Sequence, residues 1–520
     1  MNTDEHKSQE KKHQNMKPGR SRRPQGTSGT FLGFRSVKHR ISFSILFVYL
    51  CLSVFLCGSP GLLFGQGPPA KPQPARERID LLVTGGTVVT MDGQRRILEH
   101  GAVAVRGDMI VAVGPRAELA ARYLPVRRIE TRGKLVLPGL INGHTHVPMT
   151  LLRGLADDVT LQEWLEKYIF PAEKRNVTED FVTWGTRLAA LEMIRGGTTT
   201  FADMYYFEDA IARETKAAGM RGVLGETILD FPTPDHKTPA EALAATETFL
   251  KRWKGDPLIR AAVAPHAIYT NSGKTLRESA ALARRYGAPI LIHVAETKRE
   301  LEESRTEHGL SPVRYLEKIG VLGPDVLAAH CVWVDADDIR VLVAHGVGCV
   351  HNPSSNMMLA SGVAPVVEMR AAGMRLGLGT DGPAGSNNDL YLMEEMDLAA
   401  KLQKVTRMDP RALGAQQALE MATIDGARAL HMESEIGSLE PGKKADLIVL
   451  GLDAPHAVPL YHVYSQIVYA LKASDVETVV IAGRTVMANR RVLTLNEAEV
   501  IAKAREYGAK VKQSLAAPPK

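Results

Sequence analysis

Two histidines separated by one residue, His144 and His146, follow directly after the apolar run 135–141. Side chains two positions apart in a strand project from the same side of the pleat. Two imidazoles on one side can bind one ion, and imidazole is a preferred ligand of zinc and related metals. The pair alone also fits two histidines that merely decorate a loop, so a metal site requires further ligands elsewhere in the chain.

Eight apolar runs alternate with helix-length segments and have the length and composition of parallel strands. Over about 300 residues, this alternation of strands and helices predicts an α/β fold, a closed (β/α)8 TIM-like barrel. An open doubly wound sheet is the alternative, but no Gly-x-Gly-x-x-Gly follows the first strand. The predicted strands are residues 135–142, 197–203, 220–226, 259–264, 289–294, 325–330, 346–351 and 375–380.

Shorter β-rich runs with glycine turns lie on both sides of the predicted barrel, over residues 79–137 and again over residues 446–487. They predict a small β-sandwich domain assembled from both flanks of the barrel. The expected domains are residues 1–75 (a basic leader, an apolar segment and a Pro-rich linker), 76–137 (first part of the sandwich), 138–434 (the metal-dependent barrel), 435–495 (second part of the sandwich) and 496–520 (a C-terminal helix and tail).

In (β/α)8 barrels, the active site is built from residues at the C-terminal ends of the strands. This chain has a histidine or an aspartate after five of the eight predicted strands. Each of them alone fits a hydrogen-bonded structural residue, whereas their joint occurrence at one face predicts a metal centre. They are His144 and His146 after strand one, His266 after strand four, His293 after strand five, His330 after strand six and Asp381 after strand eight.

The net charge of +6 is concentrated near the N-terminus of this 520-residue chain. Residues 1–40 hold ten Lys or Arg against three Asp or Glu, and the remaining residues hold 54 against 55. The body of the protein is therefore close to neutral, and no nucleic-acid partner is expected.

Residues 41–70 contain no charged side chain, and residues 41–57 are nearly all apolar. A basic stretch followed by an apolar run predicts an export signal or an N-terminal membrane anchor, with membrane contact only through residues 41–64. The alternative is a start codon placed too early, with a cytoplasmic enzyme that begins near Arg76.

The motif Gly143-His144-Thr145-His146, together with His293, His330 and Thr380-Asp381-Gly382, resembles the metal-site pattern of the amidohydrolase superfamily. Longer stretches resemble the 5-methylthioadenosine/S-adenosylhomocysteine deaminases, which are ATZ/TRZ-like metallo-dependent hydrolases. The resemblance covers residues 79–490, and its most specific stretches are residues 150–158, 161–165, 171–173, 264–266, 293–296, 351–356 and 382–389.

The resemblance implies one Zn²⁺ per subunit, held by three imidazoles and one carboxylate with a position open for water. These ligands would be His144, His146, His293 and Asp381. Two-metal members of the superfamily have a carbamylated lysine at the end of strand four. Residues 262–266 contain no lysine, so we expect a single metal.

The resemblance also implies roles for the residues around the metal. Glu296 would carry a proton to ring N1 and then to the leaving ammonia, His330 would orient the attacking water, and Asp381 would accept the proton of that water. Glu173 would bind the ribose hydroxyls, although a solvated residue at a helix end is the alternative. His266 would contact the purine ring, and the substrate would also touch Glu296 and Asp381.

The implied reaction is hydrolytic deamination of an adenine nucleoside, namely 5-methylthioadenosine, S-adenosylhomocysteine or adenosine, to the inosine analogue and ammonia. The main alternative is an aminohydrolase or chlorohydrolase that acts on another heterocycle, such as guanine, 8-oxoguanine or an s-triazine. A metal-free interaction protein on the same scaffold is a further alternative, against which the filled ligand positions argue. We also expect a homo-oligomer.

Overall fold

The structure, a computed structural model, describes residues 76–516. In this part of the chain, nineteen β-strands form three sheets. In chain order the strands are β1 (Glu77–Thr84), β2 (Thr87–Val89), β3 (Ile97–Leu98), β4 (Gly101–Arg106), β5 (Met109–Pro115), β6 (Tyr123–Glu130), β7 (Leu135–Pro138), β8 (Leu140–Thr145), β9 (Thr198–Tyr205), β10 (Arg221–Ile228), β11 (Ile259–Pro265), β12 (Ile290–Val294), β13 (Val326–His330), β14 (Gly348–His351), β15 (Arg375–Leu378), β16 (Leu447–Leu450), β17 (Val476–Ile481), β18 (Arg484–Ala488) and β19 (Arg491–Val492).

Seventeen α-helices connect or flank these strands within the described residues. In chain order the helices are α1 (Arg116–Arg122), α2 (Leu161–Glu163), α3 (Phe170–Asn176), α4 (Glu179–Arg195), α5 (Glu208–Ala218), α6 (Pro239–Arg252), α7 (Gly273–Tyr286), α8 (Lys298–His308), α9 (Pro312–Lys318), α10 (Ala336–Ala344), α11 (Pro353–Met358), α12 (Val366–Ala371), α13 (Leu392–Arg407), α14 (Ala415–Met421), α15 (Ile424–Ala429), α16 (Val463–Ser465) and α17 (Glu497–Ala516).

Six of the helices around the barrel begin after a Ser, Thr or Asp whose side-chain oxygen accepts a hydrogen bond from a backbone N–H of the first turn. Such caps satisfy N–H groups that have no partner inside the helix, and each is worth about 1 kcal/mol. The capping residues are Thr178, Thr238, Ser272, Thr297, Ser311 and Asp335.

Strands β8 to β15 form one eight-stranded parallel sheet in sequence order. Its two end strands meet, because Thr145 bridges Asp381 and the Asp381 N–H donates to the His144 carbonyl oxygen at 2.9 Å. The Asn142 side chain strengthens this junction: its Oδ1 accepts from the Thr380 N–H at 3.0 Å, and its Nδ2 donates to Thr380 Oγ1 at 2.8 Å. The sheet is thus closed, which confirms the predicted (β/α)8 barrel.

The barrel strands are buried on both faces, as parallel strands covered by helices must be. Alternate residues such as Ala202 and Val223 form a cluster of their own with side chains of the other barrel strands. Their sequence neighbours Phe201 and Leu224 belong instead to the larger core that includes the helices. Strands β8 to β14 are therefore packed against apolar side chains on two sides.

The first predicted strand, residues 135–142, is in fact two strands in different sheets. β7 pairs with β2 and β16, whereas β8 pairs with β9 in the barrel. Gly139 lies between them, and a Cβ atom at this position would lie 2.1 Å from Thr199 Oγ1. Only a residue without a Cβ atom fits this close to Thr199 at the point where the chain passes from one sheet to the other. The uniform apolar run concealed this change of sheet. The other seven predicted strands overlap β9 to β15.

The two remaining sheets pack face to face as a sandwich. Their strand orders are β5-β4-β1-β6 and β19-β18-β17-β16-β7-β2-β3. Leu81 and Val103 of the first sheet share one core with Val136, Leu447 and Val480 of the second. The sandwich combines strands from both flanks of the barrel, as predicted, while the exact domain boundaries stay predictions.

A buried ion pair joins the barrel to the seven-stranded sheet. Arg221 begins β10, and its Nε lies 3.0 Å from Oδ2 of Asp446, which directly precedes β16. Both side chains are only 3% exposed. Asp446 Oδ1 also accepts from the Ala482 N–H at 2.6 Å. The carboxylate is therefore fully compensated as long as Arg221 is present.

We correct the prediction of export or membrane anchoring. Within residues 76–516, no helix is both long enough and apolar enough to cross a bilayer. The longest, α17, has 20 residues but carries charged side chains along its length. The segment behind the prediction, residues 41–64, lies outside the described residues, as does the rest of the predicted leader and linker over residues 1–75.

The Arg221–Asp446 pair generates a stability prediction. Arg221→Met removes one partner and leaves a buried carboxylate without a counter-charge, so we expect the free energy of unfolding to fall by about 3–5 kcal/mol in urea denaturation. Arg213→Met is the matched control, because Arg213 pairs with Glu179 at the surface, and we expect it to cost less than about 1 kcal/mol. Equal losses in the two variants would contradict the structural role of the buried pair.

Candidate metal centre

The ends of β8, β12, β13 and β15 bring five side chains together at the C-terminal mouth of the barrel. His144 Nε2 and His146 Nε2 lie 3.3 and 3.2 Å from Asp381 Oδ1, and His146 Nε2 lies 3.3 Å from His293 Nε2. Two ligands bound tetrahedrally at about 2.0–2.1 Å are separated by about 3.3 Å. His144, His293, His330 and Asp381 also place donor atoms all within 4.8 Å of one another.

The hydrogen bonds of these imidazoles fit a metal. His144 Nε2 is buried and has no hydrogen-bond partner among the described residues, which is rare for a buried polar atom. Nδ1 of His146 lies 2.6 Å from the Met204 carbonyl oxygen, and Nδ1 of His293 lies 2.8 Å from that of His266. Since a carbonyl oxygen only accepts, Nδ1 carries a proton in both rings, and Nε2 is the nitrogen that faces the site.

His330 is held differently. Its Nδ1 faces the amide nitrogens of Asn352 and Asn356 at 3.3 and 3.0 Å. With these assigned amide orientations, Nδ1 accepts, and the ring proton resides on Nε2. His330 Nε2 lies 3.8 Å from Glu296 Oε2. By distance, His330 is a possible metal ligand. Its hydrogen bonds, however, leave an N–H group on Nε2 that can donate toward the centre of the site. The predicted ligand set, which contains His146 and not His330, therefore stays a prediction.

Asp381 presents one oxygen to the histidines and the other to a hydroxyl. Its Oδ2 accepts from Ser355 Oγ at 2.7 Å, while Oδ1 faces His144 and His146. Burial acts to raise the pKa of Asp381, but the His144 and His146 imidazoles beside its Oδ1 hold that pKa well below its usual range. The carboxylate is therefore ionised, with a single oxygen available to a cation.

Left-handed backbone conformations redirect the chain where the strands end. Ala295, His330 and Asp381 have φ angles of +52°, +72° and +66°. Such a conformation costs a residue other than glycine on the order of 1–3 kcal/mol and persists only where the surroundings enforce it. At Asp381, the enforcing contact is the hydrogen bond from its own N–H to the His144 carbonyl oxygen.

Glu296 lies beside this cluster and is positioned by a second carboxylate. The N–H groups of Ala295 and Glu296 donate to the two oxygens of Glu300 at 2.9 and 2.8 Å. Burial, followed by the charges of Asp381 and Glu300, raises the pKa of Glu296 well above its ordinary value, although Ser361 Oγ donates to it at 3.4 Å. Sequence reasoning missed Glu300, but the pattern Thr-x-x-Glu at a helix start could have found it.

Glu173 is buried at the start of α3, so the alternative of a solvated residue at a helix end is wrong. Tyr205 donates to its Oε1 at 2.6 Å and Tyr206 to its Oε2 at 3.4 Å. Burial raises the pKa of Glu173 to about 7, and the tyrosine hydroxyls and His146 oppose that shift. Both tyrosines follow the pattern of polar groups at a strand end, yet sequence reasoning did not include them.

His266 follows β11 at the same mouth. Its ring centroid lies 4.6 Å from that of His293, and its Nδ1 lies 3.0 Å from Thr270 Oγ1. Burial, followed by the charges of His146 and His144, lowers the pKa of His266 to about 3. The ring is therefore a neutral polar surface next to the predicted metal ligands, and the structure thus brings every predicted site residue to one end of the barrel.

Comparisons with known proteins agree with this geometry. A family described as "Amidohydrolase family" matches residues 135–486. The 5-methylthioadenosine/S-adenosylhomocysteine deaminase of Syntrophobacter fumaroxidans is 50% identical over 435 residues, which cover 84% of this chain and 99% of that protein.

Two solved structures extend the comparison. An adenosine deaminase from Xanthomonas campestris with bound zinc has a TM-score of 0.83 and 39% identity, covering 84% of this chain and 100% of that one. An atrazine chlorohydrolase from Arthrobacter aurescens, complexed with zinc, has a TM-score of 0.77 and 26% identity, covering 82% of this chain and 100% of that one.

The chain belongs to the amidohydrolase family. It is an enzyme of the deaminase type, a hydrolase that acts on C–N bonds, and it carries a buried cluster of histidines and an aspartate able to hold a metal.

Ser355 generates a prediction about metal affinity. Ser355→Ala removes the hydroxyl that orients Asp381, so we expect affinity for the metal to fall by roughly 10–100-fold in competition with a chelator. Ser386→Ala is the control, because Ser386 is also buried but, among residues 76–516, its Oγ bonds only the Gly382 carbonyl oxygen. Unchanged affinity in Ser355→Ala would show that Asp381 needs no such support.

Proposed function

We propose that this protein is a zinc-dependent aminohydrolase that converts an adenine nucleoside into its inosine analogue and ammonia. The substrate would be 5-methylthioadenosine, S-adenosylhomocysteine or adenosine. The main observation in support is Glu296, a buried carboxyl group with a raised pKa beside a cluster of histidines and an aspartate. Such a group can protonate a substrate nitrogen at neutral pH. The deaminases among the relatives support the same reaction.

The metal would be held by His144, His146, His293 and Asp381, three neutral nitrogens and one ionised oxygen. This donor set suits Zn²⁺, and zinc is bound in the similar adenosine deaminase structure. A bound zinc would lower the pKa of a water molecule to near neutrality and so supply hydroxide at physiological pH. We propose one such ion per subunit, because residues 262–266 offer no lysine for a second.

The chain's own residues would move the protons. Glu296 protonates ring N1 as water adds to C6. The water proton that Asp381 accepts then passes through Glu296 to the amino group, which leaves as ammonia, and Glu296 recovers its proton from the C6 hydroxyl as the carbonyl forms. His330 donates its Nε2–H to the attacking oxygen and so orients it. Asp381 accepts a proton from the same water. The 3.8 Å between His330 Nε2 and Glu296 Oε2 places both groups within reach of one reacting amidine.

Glu173 and His266 would bind the nucleoside. A carboxylate can accept from two neighbouring hydroxyls at once, which suits the 2′ and 3′ positions of ribose. Tyr205 and Tyr206 fix the orientation of Glu173, so its remaining lone pairs keep a constant direction. His266 offers a neutral ring to the purine. This pair favours a nucleoside over a free base or an s-triazine, although the similar chlorohydrolase keeps that alternative open.

Trp164 lies in the segment before α3. It is buried in the main core, and its Nε1 donates to the Ala384 carbonyl oxygen at 2.7 Å. Asn388 Nδ2 likewise donates to Asp157 Oδ1 at 2.8 Å. These bonds join the segment before α3 to the loop after β15. We propose that the two segments form the wall near the 5′ substituent, and that the enzyme works as a homo-oligomer without a nucleic-acid partner.

A substrate panel tests this proposal. With 5-methylthioadenosine, S-adenosylhomocysteine and adenosine, we expect ammonia release together with loss of the adenine absorbance. Guanine, 8-oxoguanine and an s-triazine serve as the comparison set. Turnover of the comparison set alone would contradict the assignment of a nucleoside as the substrate and would favour one of the other heterocycles.

Glu296→Gln tests the proton transfer. The amide keeps the shape of the side chain but cannot donate an acidic proton, so we expect kcat to fall by roughly 10²–10⁴-fold while the metal content is unchanged. Glu303→Gln is the control. Glu303 lies in α8, the helix that follows Glu296 in the chain, but it is exposed and pairs with Arg299. Near wild-type turnover in Glu296→Gln would assign the proton transfer to another group.

A further inference from the structure

We propose a second divalent-cation site, separate from the metal centre, formed by Glu226, Asp235 and His236 on the outer side of the barrel. Glu226 lies near the end of β10, and the other two residues lie in the loop between β10 and α6. Each offers one donor atom, and the three atoms lie within 4.8 Å of one another. The proposed ion would fix this loop against the barrel and has no part in the proposed deamination.

The distances from His236 to the two carboxylates are those between ligands of one ion and not those of hydrogen bonds. His236 Nε2 lies 3.7 Å from Glu226 Oε1 and 3.7 Å from Asp235 Oδ2. A separation of about 3.6 Å or more is too long for a side-chain hydrogen bond. Two ligands of one ion at about 2.0–2.5 Å are instead separated by about 3–4 Å. The three groups thus surround a space of the right size for a cation.

One ligand atom is buried and accepts no hydrogen bond. Glu226 is 5% exposed, and no N–H or O–H group in the described part of the chain donates to its Oε1. Its other oxygen accepts from the Glu208 N–H at 3.0 Å. Asp235 Oδ2 accepts from the Phe207 N–H at 2.7 Å, and its Oδ1 accepts from Thr233 Oγ1 at 2.7 Å. These bonds orient the carboxylates and leave Glu226 Oε1 directed toward His236.

The cluster also carries more negative charge than its neighbours neutralise. Among residues 76–516, His236 is the only basic side chain within 4 Å of Glu226 or Asp235. Burial, followed by the charge of Asp235 and a side-chain hydrogen bond with Asp235, raises the pKa of Glu226 well above its ordinary value. The nearby arginines Arg213 and Arg252 each pair with Asp209, so they do not compensate the cluster. A bound cation would remove this repulsion.

The donor set indicates the kind of ion. Two carboxylate oxygens suit Mn²⁺ or Mg²⁺, and an imidazole nitrogen shifts the preference toward first-row transition ions such as Mn²⁺ and Zn²⁺. A cavity of about 460 Å³ is lined by all three side chains, and the His236 side chain is 19% exposed, so an ion can enter from solvent. Bound there, it would link the β10–α6 loop to Phe207 and Glu208 at the start of α5.

Stoichiometry with Mn²⁺ alone tests the site. After dialysis of the full chain against Mn²⁺ and removal of the excess, we expect His236→Gln to retain about one equivalent less than the wild type, by elemental analysis. His345→Gln is the matched control, because this histidine lies 3.2 Å from one carboxylate, Glu317, but no third donor joins them among the described residues. Equal Mn²⁺ content in the wild type and His236→Gln would overturn the proposal.

Thermal melting of Glu226→Gln provides a second test that does not depend on the folding of His236→Gln. In chelator, the variant should melt above the wild type, because it removes one of two adjacent buried carboxylates. In saturating Mn²⁺ the order should reverse, because only the wild type gains the full binding energy of the ion. The same order of melting temperatures under both conditions would refute a cation at this cluster.

Discussion

The hydrogen bond from the Asp381 N–H to the His144 carbonyl oxygen is the contact on which the rest of the site depends, because it lies where the barrel closes. β8 and β15 are the end strands of an eight-stranded sheet, and without closure each would expose an unpaired edge. The same two residues direct their side chains toward each other, with His144 Nε2 3.3 Å from Asp381 Oδ1. Closure of the fold and assembly of the metal centre therefore occur together.

The mouth of the barrel holds several ionisable groups that are removed from water. A buried carboxylate is unfavourable unless hydrogen bonds or opposite charges compensate it. Glu173 is compensated by two tyrosine hydroxyls, and Asp381 by Ser355 and two imidazoles. Glu300 fixes the backbone that carries Glu296. These hydrogen bonds and neighbouring side chains fix the orientation of each carboxyl group before a substrate binds. Such pre-arranged groups are the condition for electrostatic catalysis in an enclosed site.

Much of this arrangement could be predicted, because a parallel strand buried on both faces is a continuous apolar run whose end is visible in the sequence. His293 and His330 were assigned to one face of the barrel in this way. The same reasoning missed Tyr205 and Tyr206, because an aromatic side chain after an apolar run is indistinguishable from a core residue. The same reasoning also joined β7 to β8, because Gly139, where the chain passes between sheets, does not interrupt the apolar run.

The amino-acid sequence is enough to assign side chains to the ends of particular strands, because the alternation of apolar runs and helices is a local property. The ring nitrogen that each histidine turns toward the centre depends instead on the folded barrel. The Met204 carbonyl oxygen that binds His146 Nδ1 is 58 positions away, and the Asn356 amide that faces His330 Nδ1 is 26 positions away. No local pattern encodes such partners, because contacts between distant segments arise only when the barrel has closed.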